Sequence, residues 1–304
     1  MKTWALIVKS LETHGRCALV SVISTKGSAP RDAGARMIVT PEGYHGTIGG
    51  GTLEWRAIAT AQAMLAGGEA ARITSHALGP ELGQCCGGQV ELATEVFTAN
   101  SLGSARELAA RETEGAFTID RLIAGRSMDQ TFGDDNRSLY LFGAGHVGKA
   151  LVLALAPLPF NVYWIDTRPG AFPAAVPRNV TLSINADLGA APDGSLVFIM
   201  SHSHALDLAI TEAALRNPNL AYVGLIGSAT KRARFEKRLR AGNVPENRVA
   251  SLICPIGVSG IQSKEPAAIA AATAAQILVL DEKLRLASAE EQPHNLLQKA
   301  GVGR

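Results

Sequence analysis

Apolar residues change their spacing several times along the chain, and each change marks an element. Trp4, Ala5, Leu6, Ile7 and Val8 with Leu11 recur at helical spacing and stop at Gly15, which predicts an amphipathic opening helix. Cys17-Ala18-Leu19-Val20-Ser21-Val22-Ile23 is apolar and β-branched over strand length. Ala35 to Thr40 reads as its partner strand, followed by a turn at Pro41-Glu42-Gly43. Leu53, Ala57, Ala61 and Leu65 then repeat every fourth position, so a helix is predicted over 52–65 with Thr52 as its N-cap. Val90 to Val96 returns to strand character. From about Ala99 to Arg137 the periodicity fades into a polar, glycine-containing run, and a linker is expected at 126–137.

The second half has a different rhythm. Short apolar runs at Ser138–Phe142, Asn161–Ile165, Ser195–Met200 and Ala221–Ile226 read as buried strands. Helices are predicted between them: one carrying Val147, Leu151 and Leu155, then Ala205–Arg216 and Ala229–Arg240, with a closing helix from near Pro266. Strands alternating with helices call for a parallel sheet covered on both faces. The expected fold class is therefore α/β, a C-terminal Rossmann-like parallel-sheet domain preceded by a mixed α+β N-terminal domain. The expected boundaries are 1–125, a linker at 126–137, 138–285, and a tail at 286–304.

Composition narrows the function classes. The chain has 304 residues, enough for two domains, and 47% are hydrophobic, enough for a substantial core. Charged residues are few at 18% and the formal net charge is only +2. The one basic run, Lys231 to Arg240, alternates as a solvated helix face does, so nucleic-acid binding is not expected. No apolar stretch reaches the ~18 residues of a membrane span, and the opening run is too short for a signal peptide. Four cysteines, two of them adjacent, make no disulfide framework, so the cytoplasm is the expected location.

Gly143-Ala144-Gly145-His146-Val147-Gly148 follows a strand, opens a helix, and precedes Asp166 at the end of the next strand. In that context the spacing predicts a dinucleotide-type binding turn. Gly143 would allow the tight turn, Gly145 close approach of a phosphate, and Gly148 helix-on-strand packing. The helix start would supply amide donors, with His146 beside the ligand and Asp166 accepting a ribose hydroxyl. Hydride-transfer chemistry is harder to find. His202 and His204, after the third strand, are read as pocket donors or a cap, because spacing of two with no third ligand is poor for a closed metal site. An NAD(P)-dependent oxidoreductase using one of them as acid/base is the competing reading. Ser228 is a credible N-cap for the helix that follows it.

The first half carries its own glycine motifs. Gly27-Ser28-Ala29-Pro30-Arg31 and Gly34-Ala35-Arg36 place Ser28 and two planar guanidinium forks, Arg31 and Arg36, near a turn. The reading beside it is ordinary hairpin chemistry. Gly49-Gly50-Gly51 before a helix has a large conformational entropy cost, most easily understood where backbone approaches a ligand or a second chain. Gln84-Cys85-Cys86-Gly87-Gly88 is the most reactive-looking element: Cys85 or Cys86 could face a cleft as a soft metal ligand or sulfur carrier, or be buried and inert. Cys17 and Cys254 are assigned to the inert class.

Together these motifs resemble the XdhC/CoxI family, the xanthine dehydrogenase accessory proteins. The resemblance rests on Gly27–Arg31 with Gly34–Met37, Gly46–Gly51 with Glu54, Cys85–Gly88, Phe142–Gly148, Met200–His204, Tyr222–Ser228, and Cys254–Gly257 leading to Lys264-Glu265-Pro266. It implies a chaperone rather than an enzyme, one that binds the molybdenum cofactor (molybdopterin) as cargo and supports its sulfuration. A cysteine desulfurase would give the sulfur, an apo xanthine dehydrogenase subunit would receive the product, and the chaperone would be a homodimer. On this chain the resemblance makes Cys85 or Cys86 the contact to molybdenum or sulfur, and the Gly143–Gly148 turn the holder of the pterin phosphate. Ser28, Arg31, Gly49, Gly50, His146, Asp166 and His202 complete the expected cofactor-binding set.

Overall fold

The structure is a computed structural model in which residues 2–79 and 87–299 are described, with side chains up to 288. The chain divides into two compact units, Met1–Asp135 and Asn136–Arg304. In the first, α1 (Thr3–His14) leads into β1 (Arg16–Lys26), β2 (Arg36–Val39), β3 (Tyr44–Gly46), α2 (Gly51–Gly67), β4 (Ala71–Ala77) and β5 (Gln89–Thr98). Then come α3 (Leu102–Glu114) and a hairpin of β6 (Phe117–Ile123) and β7 (Arg126–Phe132). The sheet is antiparallel, in the order β3-β2-β1-β5-β4.

Strand β1 is central, and its two faces explain its unbroken apolar run. Ala18, Val20 and Val22 pack with Leu53, Ala57 and Ala61 of α2. Cys17 and Leu19 face the opposite layer with Trp4, Ile7 and Leu11 of α1 and Phe132 of β7. The start of α1 is held from a distance. The Glu112 carboxylate of α3 accepts the Thr3, Trp4 and Ala5 amides at 2.6, 2.9 and 3.3 Å, satisfying donors that a helix leaves open.

The second unit runs β8 (Arg137–Phe142), α4 (His146–Leu155), β9 (Phe160–Ile165), β10 (Val180–Ser183), β11 (Leu196–Ile199), α5 (His204–Arg216) and β12 (Tyr222–Leu225). It closes with α6 (Ala229–Ala241), α7 (Glu246–Ala250) and α8 (Pro266–Lys299). All strand pairs are parallel, in the order β10-β9-β8-β11-β12. Leu139, Leu141, Leu196 and Phe198 pack toward α4 and α8, while Tyr140, Phe142, Val197 and Ile199 pack toward α5, α6 and α7. This is the Rossmann-like sheet the alternation predicts, with a crossover on each side of β8.

Three expectations change. The stretch 126–137 is not a linker: Arg126–Phe132 forms β7, paired along its length with β6 through a turn at Ala124 and Gly125. The tail expected at 286–304 is helical as far as Lys299, because α8 continues without a break. Thr52 does not cap α2. The helix starts one residue earlier, with Gly50 as N-cap and no side-chain cap bond of its own.

Candidate functional site

In a doubly wound sheet, ligands bind where the strand order reverses, at the carboxyl ends of the strands. Here that point lies between β8 and β11, and the Gly143–Gly148 turn occupies it. The three fingerprint glycines differ in what requires them. A Cβ on Gly143 would lie 2.2 Å from the Met200 carbonyl oxygen, and one on Gly148 would lie 2.1 Å from the Gly143 carbonyl oxygen. Both are demanded by packing. Gly145 has ordinary backbone angles (φ −77°, ψ −171°) and open space where a Cβ would be. Among the described residues no contact asks for glycine there, and the missing side chain leaves its backbone open to close approach.

The turn is rigid. The Trp164 indole Nε1–H donates to the Gly143 carbonyl at 3.0 Å, and the Ala144 amide donates to Asp166 Oδ2 at 2.7 Å. Asp166, at the end of β9, is only 4% exposed. Its second clamp is Arg168, whose backbone N and Nε reach Oδ1 at 3.0 Å and whose Nη2 reaches Oδ2 at 2.8 Å. Those guanidinium bonds, against the opposing effect of burial and aided by the two amides, hold the carboxyl far below the usual aspartate range. Asp166 thus stitches the turn together.

Two clefts flank this turn. One, of about 400 Å³, is lined by Gly145, His146, Lys149, Arg168, Gly170 and neighbouring backbone at the start of α4. Gly145 gives α4 no side-chain cap, so first-turn amides and two cations share the cleft, and its local charge is positive. The other, of about 190 Å³, is an apolar slot among Phe142, Ile165, Ile184, His202, Leu206 and Ile210. The loop holding His202 is fixed by Asp207, which accepts the Ser201 amide at 2.9 Å, the Ser201 hydroxyl at 2.6 Å and Lys231 Nζ at 2.7 Å. Ser203, rather than either histidine, caps α5, and Ser228 caps α6 as its sequence suggests. Among the described residues neither His202 nor His204 has a hydrogen-bond or ion-pair partner, so no group orients an imidazole for proton transfer.

In the first unit, three glycine motifs distant in sequence meet. Ser28 bridges to Gly87, a Cβ on Gly88 would strike the Ser28 carbonyl at 2.2 Å, and one on Gly49 would strike Pro30 at 2.6 Å. Gly49, Gly50 and Gly51 all have positive φ. The buried Glu54 carboxylate sits under this loop, accepting Thr47 Oγ1 at 2.5 Å and the Ile48 and Gly50 amides at 2.9 and 3.2 Å. Burial opposes its charge, but these donors prevail and its carboxyl lies below the ordinary glutamate value. Arg31 and Arg36 line a neighbouring cavity of about 340 Å³ with Thr3 and Thr47. The Arg36 guanidinium stacks on Phe132 at 3.9 Å, and its buried Nε has no partner among the described residues.

Cys85 and Cys86 lie outside the described residues. Burial pushes the Cys17 thiol up to about 12 and raises that of Cys254, as inert core cysteines require. Residues that sequence reasoning passed over are Lys149 and Arg168; Glu54 stands in it beside the glycine run but is given no role. A basic residue one helical turn into α4, and another two positions after Asp166, were the available signals. Among the described residues, no helix is long and apolar enough to cross a membrane.

Comparison with known proteins agrees with this architecture. Residues 139–277 match the XdhC Rossmann domain, and residues 10–76 match the XdhC and CoxI family. The chain is similar to the uncharacterized protein YqeB of Escherichia coli (strain K12), 27% identical over 296 residues that make up 94% of this chain and 48% of that protein. It therefore spans about half the length of the curated relative it matches. In fold it is similar to a solved structure from Bacillus halodurans described as a xanthine dehydrogenase, with TM-score 0.75 and 21% identity over 93% of this chain and 96% of that one. With both matches in order along the chain, on the antiparallel unit and then on the Rossmann unit, this protein belongs to the XdhC and CoxI family.

Proposed function

We propose that the chain takes part in maturing an enzyme of the xanthine dehydrogenase type by carrying its molybdenum cofactor, in the molybdopterin form, as cargo. Family membership is the observation that carries this reading. The name of the Bacillus halodurans fold neighbour points to the same class of enzyme. The arrangement at the switch point is compatible with a carrier. An anion-ready helix start and an apolar slot adjoin one turn, as a site that holds a phosphorylated ring compound would require.

In this reading the Gly143–Gly148 turn and His146 hold the phosphate end, and His202 lines the slot for the ring. In the first unit, taken by itself, Cys85 or Cys86 supplies a soft contact to molybdenum or sulfur, and Ser28, Arg31, Gly49 and Gly50 supply backbone and charge. A cysteine desulfurase gives the sulfur, an apo xanthine dehydrogenase subunit receives the cofactor, and the carrier works as a homodimer in the cytoplasm. Trp55 of α2, 74% exposed, is apolar surface available for such contacts.

The test is retention. The chain is made in cells that synthesise molybdopterin and purified, and bound pterin is measured by fluorescence after oxidation. Near-stoichiometric pterin is expected, and its absence refutes the carrier. Cys85→Ala and Cys86→Ala are then compared with the double variant; equal retention by all three removes the thiols from the mechanism. Substrate-dependent change at the reduced-nicotinamide absorbance band would favour an oxidoreductase instead.

A further inference from the structure

Dinucleotide-binding folds place at the position of Asp166 a carboxylate that accepts ribose hydroxyls. In this chain that carboxylate has no acceptor capacity left. Its two oxygens offer about four lone-pair sites. The Ala144 amide and three Arg168 donors fill them, at distances from 2.7 to 3.0 Å. The carboxylate side chain is 2% exposed. A ribose diol would have to displace the amide, unlatching the glycine turn, or displace the guanidinium, leaving a buried ionised carboxylate without its cation. The same ion pair fixes Arg168 at the cleft it shares with Lys149 and His146, and its Nη1 has no partner among the described residues. No Asp or Glu among the described residues lines that cleft.

We infer that the Asp166–Arg168 pair sets the selectivity of this cleft: it takes a phosphate monoester and refuses the unphosphorylated ribose of NAD. A monoester dianion presents free oxygens to two cations, Lys149 and Arg168, whereas a diester carries one charge and has a blocked oxygen. The group can arrive as the 2′-phosphate of NADP or as the phosphate ending a pterin side chain, and both share this chemistry. The inference rests on the Gly143–Gly148 turn being the ligand site and names what that site selects.

The test is calorimetric titration of the full chain with four probes. They are NAD+, NADP+, a pterin with a side-chain phosphate monoester, and the same pterin without its phosphate. At least one monoester is expected to bind about tenfold tighter than its unphosphorylated counterpart. Arg168→Gln should erase that ratio, and Arg168→Lys should keep part of it. The glutamine variant also frees acceptor sites on Asp166, so NAD+ binding should not fall alongside the monoesters. A merely structural role would weaken every probe together, and that result overturns the inference. So do equal affinities within both pairs, NADP+ with NAD+ and the phosphopterin with its unphosphorylated form, a ratio that survives Arg168→Gln, and binding of no probe. Arg168→Gln takes the cation away from the buried Asp166 carboxylate and should lower the unfolding temperature, so the titrations are run well below it. The ratio between paired probes is the readout that lost stability alone does not move. Preference for NADP+ over the phosphopterin leaves this inference standing and removes the carrier reading. The opposite preference supports both.

Discussion

Individual atoms at the glycine turn decide what can be substituted there. Gly145→Val should keep the unfolding temperature of the wild type, because its Cβ meets nothing, while abolishing binding of an anionic ligand. Gly148→Ala puts a methyl group 2.1 Å from a backbone oxygen and should destabilise by about 1–3 kcal/mol, measurable in denaturant. The two substitutions thus separate ligand approach from packing. Asp166 makes a pH prediction. Its folded-state value lies below the unfolded one, so the stability it contributes is fully present above about pH 4 and is lost as pH falls toward the folded value. Thermal unfolding from pH 8 to 5 should show no change from this group, and Asp166→Asn should lower stability across that range. The fingerprint glycines and Asp166 were legible in the sequence. That Asp166 is already occupied was not, because a hydrogen bond two residues away depends on the conformation of the loop.

At the level of elements, two carboxylates pin helices that local sequence leaves loose. Lys2 gives α1 no side-chain cap, and Glu112, more than a hundred residues on, takes that role. Glu112→Ala should cost about 1–2 kcal/mol in chemical unfolding. Asp281 of α8, 6% exposed, accepts Arg137 Nε and Arg285 Nε, each at 2.7 Å, and ties α8 to the start of β8. Asp281→Ala leaves the Arg137 guanidinium with the Gly194 carbonyl but no carboxylate, and should cost about 3 kcal/mol by the same measurement. The elements that sequence reading missed share a cause. Helix α3 buries only Ala105 and Glu112, so it shows no broad apolar stripe. Strand β4 is a polar edge strand, and the β6–β7 hairpin turns through Ala124 (φ 47°) and Gly125 (φ 79°) without the Asn-Gly or Asp-Gly signal such turns usually display.

Across the whole molecule, each unit has its own core. The clusters around α1 and α2 draw only on residues before 136, and those around α4 and α5 only on residues after it. A chain divided between Asp135 and Asn136 should therefore give two fragments that each show native-like circular dichroism and cooperative melting; a molten or insoluble fragment would contradict this. The sequence by itself determined the parallel-sheet unit, its glycine turn and the central strand pair β1–β2, because buried strands and glycine turns are written in short, local patterns. It also determined the family, through motifs whose order runs along nearly the entire chain. Only the tertiary structure decided that Ser28, Gly49 and Gly87 stand together, that Glu54 and Glu112 satisfy backbone amides, and that Arg168 closes Asp166. Those are contacts between residues set side by side by folding, and neither periodicity nor composition encodes which polar group will find which partner.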